Sequence, residues 1–294
     1  TDALETDPIE SVDEYVAGYA RLAEELHRPS LLGYVDSIHA ARAHLEGRFD
    51  DMARLVGAQL SHSEGAYAAR AQQAYRWQMR LLLLDLGRID DELLADLTEV
   101  AERYPGPTST TMLALAYATI HRREEGMAKL AGLPSEALPA IPRDIMWSAT
   151  LAMLSRAVIR LGAVAYAPPI YELLAPHAER DGLWGSGLMT FGPISRYLGM
   201  LATTLGEPDL ALSHLEHAFE RCLSLGSPSL AARTKMEMAR ALQVRRRDGD
   251  VARMRTLLEE AGQSAAELGM PGLADTTRRM LAEIGVHASE AAVS

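Results

Sequence analysis

The stretch Leu45-Glu-Gly-Arg-Phe-Asp-Asp51 recurs as Leu86-Gly-Arg-Ile-Asp-Asp91 and, less closely, as Leu205-Gly-Glu-Pro-Asp209. Each copy lies between two segments whose apolar residues are three or four positions apart, the spacing of one helix face. A glycine in such a turn supplies the positive φ that ends a helix, and an aspartate after it favours the start of the next helix. Each copy therefore predicts a helical hairpin.

The glycines of these turns give the repeat length. Gly47 and Gly87 lie 40 residues apart, and Gly206 follows after close to three further intervals of that length. Weaker turns are expected at Glu125-Gly126, Leu161-Gly162 and Asp248-Gly249. A constant period of this kind is typical of stacked helix pairs. We therefore predict an all-α fold, a superhelical array of antiparallel helix pairs of the tetratricopeptide-like type with a period of about 40 residues.

The composition fits this fold. The sequence has 294 residues, of which 48% are hydrophobic and only 5% aromatic, and this favours helix packing over sheets. We expect a single α-helical repeat domain over residues 1–294. Prolines interrupt the pattern at 132–142, which is where a sub-division would fall, and residues 286–294 form a polar tail.

Charge and cysteine content exclude several classes of partner. The formal net charge is -11, so direct binding of nucleic acid is not expected over this surface. No apolar run approaches the roughly 18 residues that a membrane span needs. The single cysteine, Cys222, lies among apolar residues and has no partner for an internal disulfide, which fits a reducing compartment. We therefore predict a cytoplasmic protein that does not bind a membrane.

Several stretches resemble a known family. They are Pro142-Arg-Asp144 followed by Trp147, Tyr171-Glu-Leu-Leu-Ala-Pro176, Gly192-Pro193 with Arg196-Tyr-Leu-Gly199, and His214-Leu-Glu-His-Ala218. In this order they resemble the C-terminal helical region of large bacterial ATPase regulators, over about residues 28–275. Those proteins join a signal-transduction ATPase to a tetratricopeptide-like array and add a LuxR-type DNA-binding domain or a nucleotide cyclase.

The resemblance implies a fold and a setting. It implies the sensor or scaffold part of such a regulator, with a cognate ATPase or effector domain as partner. It does not imply an activity, because the sequence contains no Gly-Lys-Ser/Thr tripeptide of the phosphate-binding kind. No Ser-His-Asp, Cys-His or nucleophile-elbow pattern is present either. We lean against an enzyme and expect no cofactor.

Two groups of residues are candidates for ligand binding. Trp184, among the glycines of 180–187 and before Phe191, either covers a pocket from a loop or fills a gap in the core. Arg143, Asp144 and Trp147, together with Arg196 and Tyr197, lie at the starts of two first helices that would face one inner groove. An arginine there either grips a carboxylate or phosphate or forms a structural ion pair.

Other polar clusters have simpler explanations. His214 and His217 are one helical turn apart, but they lack the order of known zinc motifs, so we assign no metal. Arg245, Arg246 and Arg247 fit a solvated helix end better than a docking patch.

The leading hypothesis is a non-catalytic sensor or scaffold that binds a protein, a peptide or a small effector on its concave face, with a homodimer as a further option. The alternative is a stand-alone enzyme or small-molecule-binding protein with a pocket under the loop 180–191. An open groove would favour the first hypothesis. A closed cavity lined by Trp147, Trp184 and Tyr197 would favour the second.

Overall fold

The computed structural model describes residues 6–7, 9–26, 29–58, 60, 68–185 and 187–291. These residues are mostly helical. The α-helices are α1 (Ile9–Glu25), α2 (Pro29–Leu45), α3 (Phe49–Ala58), α4 (Ala68–Leu86), α5 (Asp91–Arg103), α6 (Pro107–Thr119), α7 (Arg123–Ala131), α8 (Trp147–Leu161), α9 (Ala167–Leu174), α10 (Ile194–Thr204), α11 (Pro208–Ser224), α12 (Pro228–Arg245), α13 (Asp250–Glu267) and α14 (Pro271–Ala291). From α10 onwards, each helix packs against the one that follows it, up to α14. The pairs α2–α3 and α6–α7 also pack against each other. The predicted all-α helical-repeat fold is confirmed.

The quoted turns have the predicted backbone. Gly47 and Gly87 have φ of 77° and 70°, in the left-handed region that favours glycine. After the second turn, the amide of Leu93 donates to the Asp90 carboxylate over 2.8 Å, so Asp90 is the N-cap of α5. The turn sequence therefore closes one helix and opens the next, as expected.

One predicted turn is wrong. Gly126 lies inside α7, and the turn before that helix is made instead at His121, whose φ is 62°. A Cβ on Gly126 would lie 2.7 Å from Leu161 Cδ2 at the end of α8. Here the glycine serves close packing between helices, a role that sequence spacing does not distinguish from a turn.

The segment 132–142 is irregular, as its prolines suggest. It contains a 3₁₀ helix, Ser135–Ala140, and Leu138 within it is buried in a core cluster that extends from Leu81 to Leu201. Whether the array divides there stays a prediction.

The glycine-rich segment forms a buried β-hairpin instead of the expected loop. Strand β1 (Asp181–Trp184) pairs antiparallel with β2 (Met189–Pro193), with an irregularity between Gly182 and Leu183. All nine strand residues are buried, because the hairpin packs against α8, α2 and α11.

The N-terminal helices fold back onto the C-terminal half. Arg42 Nη1 donates to the carbonyl of Leu225 over 2.9 Å, and Ser227 Oγ donates to the carbonyl of Leu45 over 2.6 Å. Helices from distant parts of the sequence are therefore in contact. Across the described ranges, no helix is long and apolar enough to span a membrane.

Candidate functional site

A partly open cavity of about 580 Å³, called the inner cavity below, lies between helices drawn from most of the chain. Arg88, Arg160 and Arg279 in its wall are exposed to solvent. Its walls come from the end of α4, from α8, α10 and α12, and from the start of α14. Seven arginines and three carboxylates are among its lining residues: Arg88, Arg156, Arg160, Arg196, Arg233, Arg240 and Arg279, with Asp85, Glu237 and Asp275. The cavity is therefore basic inside an acidic protein.

Asp85 is the anionic centre of the cavity wall. Arg156 Nη1 donates to Asp85 Oδ1 over 2.7 Å, Arg233 Nη2 donates to Asp85 Oδ2 over 3.2 Å, and His44 Nε2 lies 3.1 Å from the same oxygen. The Asp85 side chain is only 10% exposed. Burial of the carboxyl opposes its ionisation, but Arg233 and Arg156 outweigh that effect and hold the pKa of Asp85 well below its usual range. The Asp85 carboxylate is thus charged, and both of its oxygens have partners within hydrogen-bonding distance.

Arg196 is buried and forms no ion pair with any carboxylate that the structure describes. It is 5% exposed, and its Nη2 donates to Tyr197 Oη over 2.7 Å, while that hydroxyl donates to the carbonyl of Phe191 over 2.8 Å. Arg196 Nε has no hydrogen-bond partner among the described residues. Burial opposes the charge of Arg196, but Tyr197, Glu237 and Asp85 nearby outweigh that effect and raise the pKa of the guanidinium, so it stays charged and only its Nε donor is unsatisfied.

Arg160, one helical turn beyond Arg156 on α8, faces the cavity and makes no ion pair or hydrogen bond within the described part of the chain. Its side chain is exposed to solvent. Loss of bulk solvent and repulsion from Arg156, Arg240 and Arg233 lower the pKa of Arg160 to about 10. The cavity therefore holds more positive charge than its own carboxylates neutralise.

A second pocket, of about 370 Å³, lies between the start of α8 and the β-hairpin. It brings together three of the predicted site residues, Arg143, Asp144 and Trp147. The Arg143 guanidinium lies 5.1 Å from the centre of the Trp147 ring, and the Asp144 carboxylate accepts from the amide of Met146 over 2.8 Å. Asp144 is thereby occupied in a local turn.

The other predicted residues lie elsewhere. Trp184 is 1% exposed and its ring centre is 5.4 Å from that of Trp77, so it fills the core. Phe191 and Tyr197 are also buried in that core, while Arg196 lines the inner cavity. The structure thus separates the seven predicted residues into the second pocket, the core and the wall of the inner cavity.

Sequence reasoning missed Asp85, Arg156, Arg160 and Arg233. They lie on three helices far apart in sequence, so no motif joins them. A usable signal was the pair Arg156 and Arg160 on α8, whose other residues from Trp147 to Val158 are almost all buried. Arginines one turn apart on such a helix need a polar interior environment.

The remaining polar clusters are engaged locally. His214 Nε2 lies 2.8 Å from Tyr171 Oη, and His217 Nε2 lies 3.2 Å from a Glu179 carboxylate oxygen. Arg245 pairs with Asp250. In the described residues no group of three or more His, Cys, Asp or Glu side chains is placed to hold a metal ion.

These features define an all-α helical-repeat protein with a basic inner cavity. No family model matches the sequence, and no curated protein matches it significantly. Among solved structures, a similar chain is the Rap protein complexed with competence and sporulation factor, with 10% identity and a TM-score of 0.40. The match covers 89% of this chain and 76% of that chain. A likeness this distant carries no inference about a ligand.

Proposed function

We propose that this chain is a non-catalytic binding domain, the sensor or scaffold part of a bacterial signalling or transcriptional regulator. Its effector, peptide or protein partner binds at the inner cavity, on the concave side of the array. The observation that carries the proposal is the buried Arg196 at the cavity wall, which forms no ion pair with any carboxylate that the structure describes. Its buried Nε donor has no acceptor among the described residues, which favours a ligand that supplies one.

The size and make-up of the cavity support this role. About 580 Å³ lies within the range of small-molecule sites, which is roughly 300–1,000 Å³. Apolar side chains such as Met200 and Met236 share the wall with the arginines, so that an organic ligand would find both apolar and polar contacts. Ligand pockets commonly combine these features.

The position of the cavity suggests how binding is transmitted. Its walls belong to helices separated by most of the sequence, from Asp85 in α4 to Arg279 in α14. A ligand that contacts both ends favours array conformations in which those helices are close together. A cognate ATPase or effector domain, or a second copy of the chain, would respond to that change in the cytoplasm.

A second candidate function uses the other pocket. This pocket of about 370 Å³ lies beside the β-hairpin and is lined by Arg143, Asp144 and Trp147. A stand-alone enzyme or small-molecule-binding protein would require such a pocket under 180–191. Trp184 and Tyr197 do not join them, since both are buried in the core. This candidate therefore ranks second.

Native mass spectrometry of the protein purified from the organism that encodes it tests the proposal. We expect a retained small molecule, peptide or protein. Thr119→Trp places a large ring at the inner cavity and should abolish retention, whereas Ile145→Trp, at an exposed position of the second pocket, should not. Retention that survives Thr119→Trp and is lost in Ile145→Trp would overturn the proposal in favour of the second pocket.

A further inference from the structure

We infer that the inner cavity binds a small phosphorylated organic molecule with at least two negative charges, held by Arg160 and Arg196. This inference rests on the proposed function and names the chemical class of its ligand. It follows from the balance of charge in the cavity, from the geometry of guanidinium groups and from the apolar part of the wall.

The residues that line the cavity carry more positive than negative charge. Seven arginines against three carboxylates leave an excess of four positive charges among the described lining residues. Asp85 is shared by Arg156 and Arg233, and Glu237 lies 3.4 Å from Arg240. Asp275 pairs with Arg278, which does not line the cavity, over 2.7 Å. Within the described part of the chain, Arg88, Arg160, Arg196 and Arg279 form no ion pair, and of these four only Arg196 is buried.

The excess favours a phosphate over a carboxylate. One carboxylate neutralises a single guanidinium, whereas a phosphate monoester or diphosphate brings about two to three charges and several acceptor oxygens in a compact group. The fork of N–H donors on arginine matches phosphate oxygens in a bidentate manner. A phosphorylated ligand would also offer an acceptor to Arg196 Nε, which lacks one.

The surroundings favour a small molecule over a polymer. The protein carries a formal net charge of -11, so an extended polyanion would be repelled by the surface outside the cavity. Inside, Ile159, Met200, Met236, Met270 and Leu273 line the space beside the arginines. These side chains give an organic portion of the ligand an apolar contact surface.

Isothermal titration with inorganic pyrophosphate tests the inference, in a buffer free of phosphate and at constant ionic strength. The comparison ligand is succinate, which carries two negative charges, both on carboxylates. We expect saturable binding of pyrophosphate at one site and at least tenfold weaker binding of succinate. An absence of saturable pyrophosphate binding, or equal affinity for succinate, overturns the inference.

Two variants locate the binding. Arg160→Gln removes a guanidinium that has no structural partner, so the fold should persist, which circular dichroism checks. Because Arg160→Gln loses a charged hydrogen bond to the ligand, its affinity for pyrophosphate should be roughly 10- to 100-fold weaker than that of the wild type. Arg255→Gln, at an exposed position of α13 away from the cavity, is the matched control and should bind as the wild type does. Equal affinity in both variants overturns the assignment to this cavity.

Different results would disprove the proposed function and the proposed class of ligand. A retained ligand that carries no phosphate, and whose retention Thr119→Trp abolishes, would disprove the phosphorylated class while the proposed function stands. Retention unaffected by Thr119→Trp would disprove the binding role of the cavity itself.

Discussion

Arg156 Nη1 donates a hydrogen bond to Asp85 Oδ1 over 2.7 Å and joins α8 to the end of α4 across 71 residues of sequence. Arg233 of α12 reaches the same carboxylate from the other side. One carboxylate therefore connects three helices that belong to different repeats. The array is held around the cavity by a polar contact as well as by its apolar core.

Removing the Asp85 carboxylate should destabilise the folded protein. Asp85→Asn keeps the size of the side chain but leaves two buried guanidiniums without their counter-charge, so we expect the free energy of unfolding to fall by about 3–5 kcal/mol. Urea denaturation followed by circular dichroism measures the change. Asp51→Asn, at a solvent-exposed pair with Arg48 and Arg54, is the control and should have little effect. Equal losses in the two variants would contradict the central role of Asp85.

The close approach of α10 and α11 predicts a contrast between two glycines. A Cβ at Gly199 would lie 2.5 Å from Leu215 Cγ and 3.0 Å from the carbonyl oxygen of Ala211, so Gly199→Ala should destabilise by about 1–3 kcal/mol. At Gly18, within α1, the added Cβ meets only a side-chain nitrogen of Arg21 at 3.8 Å. Gly18→Ala should therefore stabilise, by roughly 0.5–1 kcal/mol. Thermal unfolding of both variants checks the opposite signs; the same sign in both would refute the packing argument.

The single thiol should be unreactive in the folded protein. Cys222 is fully buried, and its burial raises the pKa of the thiol to about 11, so little thiolate exists at pH 8. We expect labelling by a disulfide reagent to be slow in buffer and fast in denaturing urea. Rapid labelling of the native protein would show that the core around Cys222 opens easily.

Acid should weaken the turn between α12 and α13. Hydrogen bonds from Arg245 lower the pKa of Asp250 to about 2 in the folded protein. The pKa of an aspartate in an unfolded chain is about 3.9. The folded-state pKa is the lower one, so the stabilisation is present above about pH 4 and is lost as the pH falls towards about 2. The stability difference between wild type and Asp250→Asn should shrink over that window. A difference that stays constant with pH would contradict the assignment.

The sequence predicted the array because its signals are local. The glycines of the turns and the aspartate that caps α5 depend on residues within a few positions of each other, and the structure places Asp90 as the N-cap of that helix. The β-hairpin was missed because glycines in short strands resemble a loop. The inner cavity was missed because Asp85, Arg156 and Arg233 meet only after the chain folds back on itself.

A crystal structure of the protein purified from the organism that encodes it, in buffers free of phosphate and sulfate, tests the central claim most directly. The account predicts electron density for a bound ligand in the inner cavity, with acceptor atoms within hydrogen-bonding distance of Arg160 and Arg196. An inner cavity that holds only water, while a ligand occupies the pocket beside Arg143 and Trp147, would contradict it.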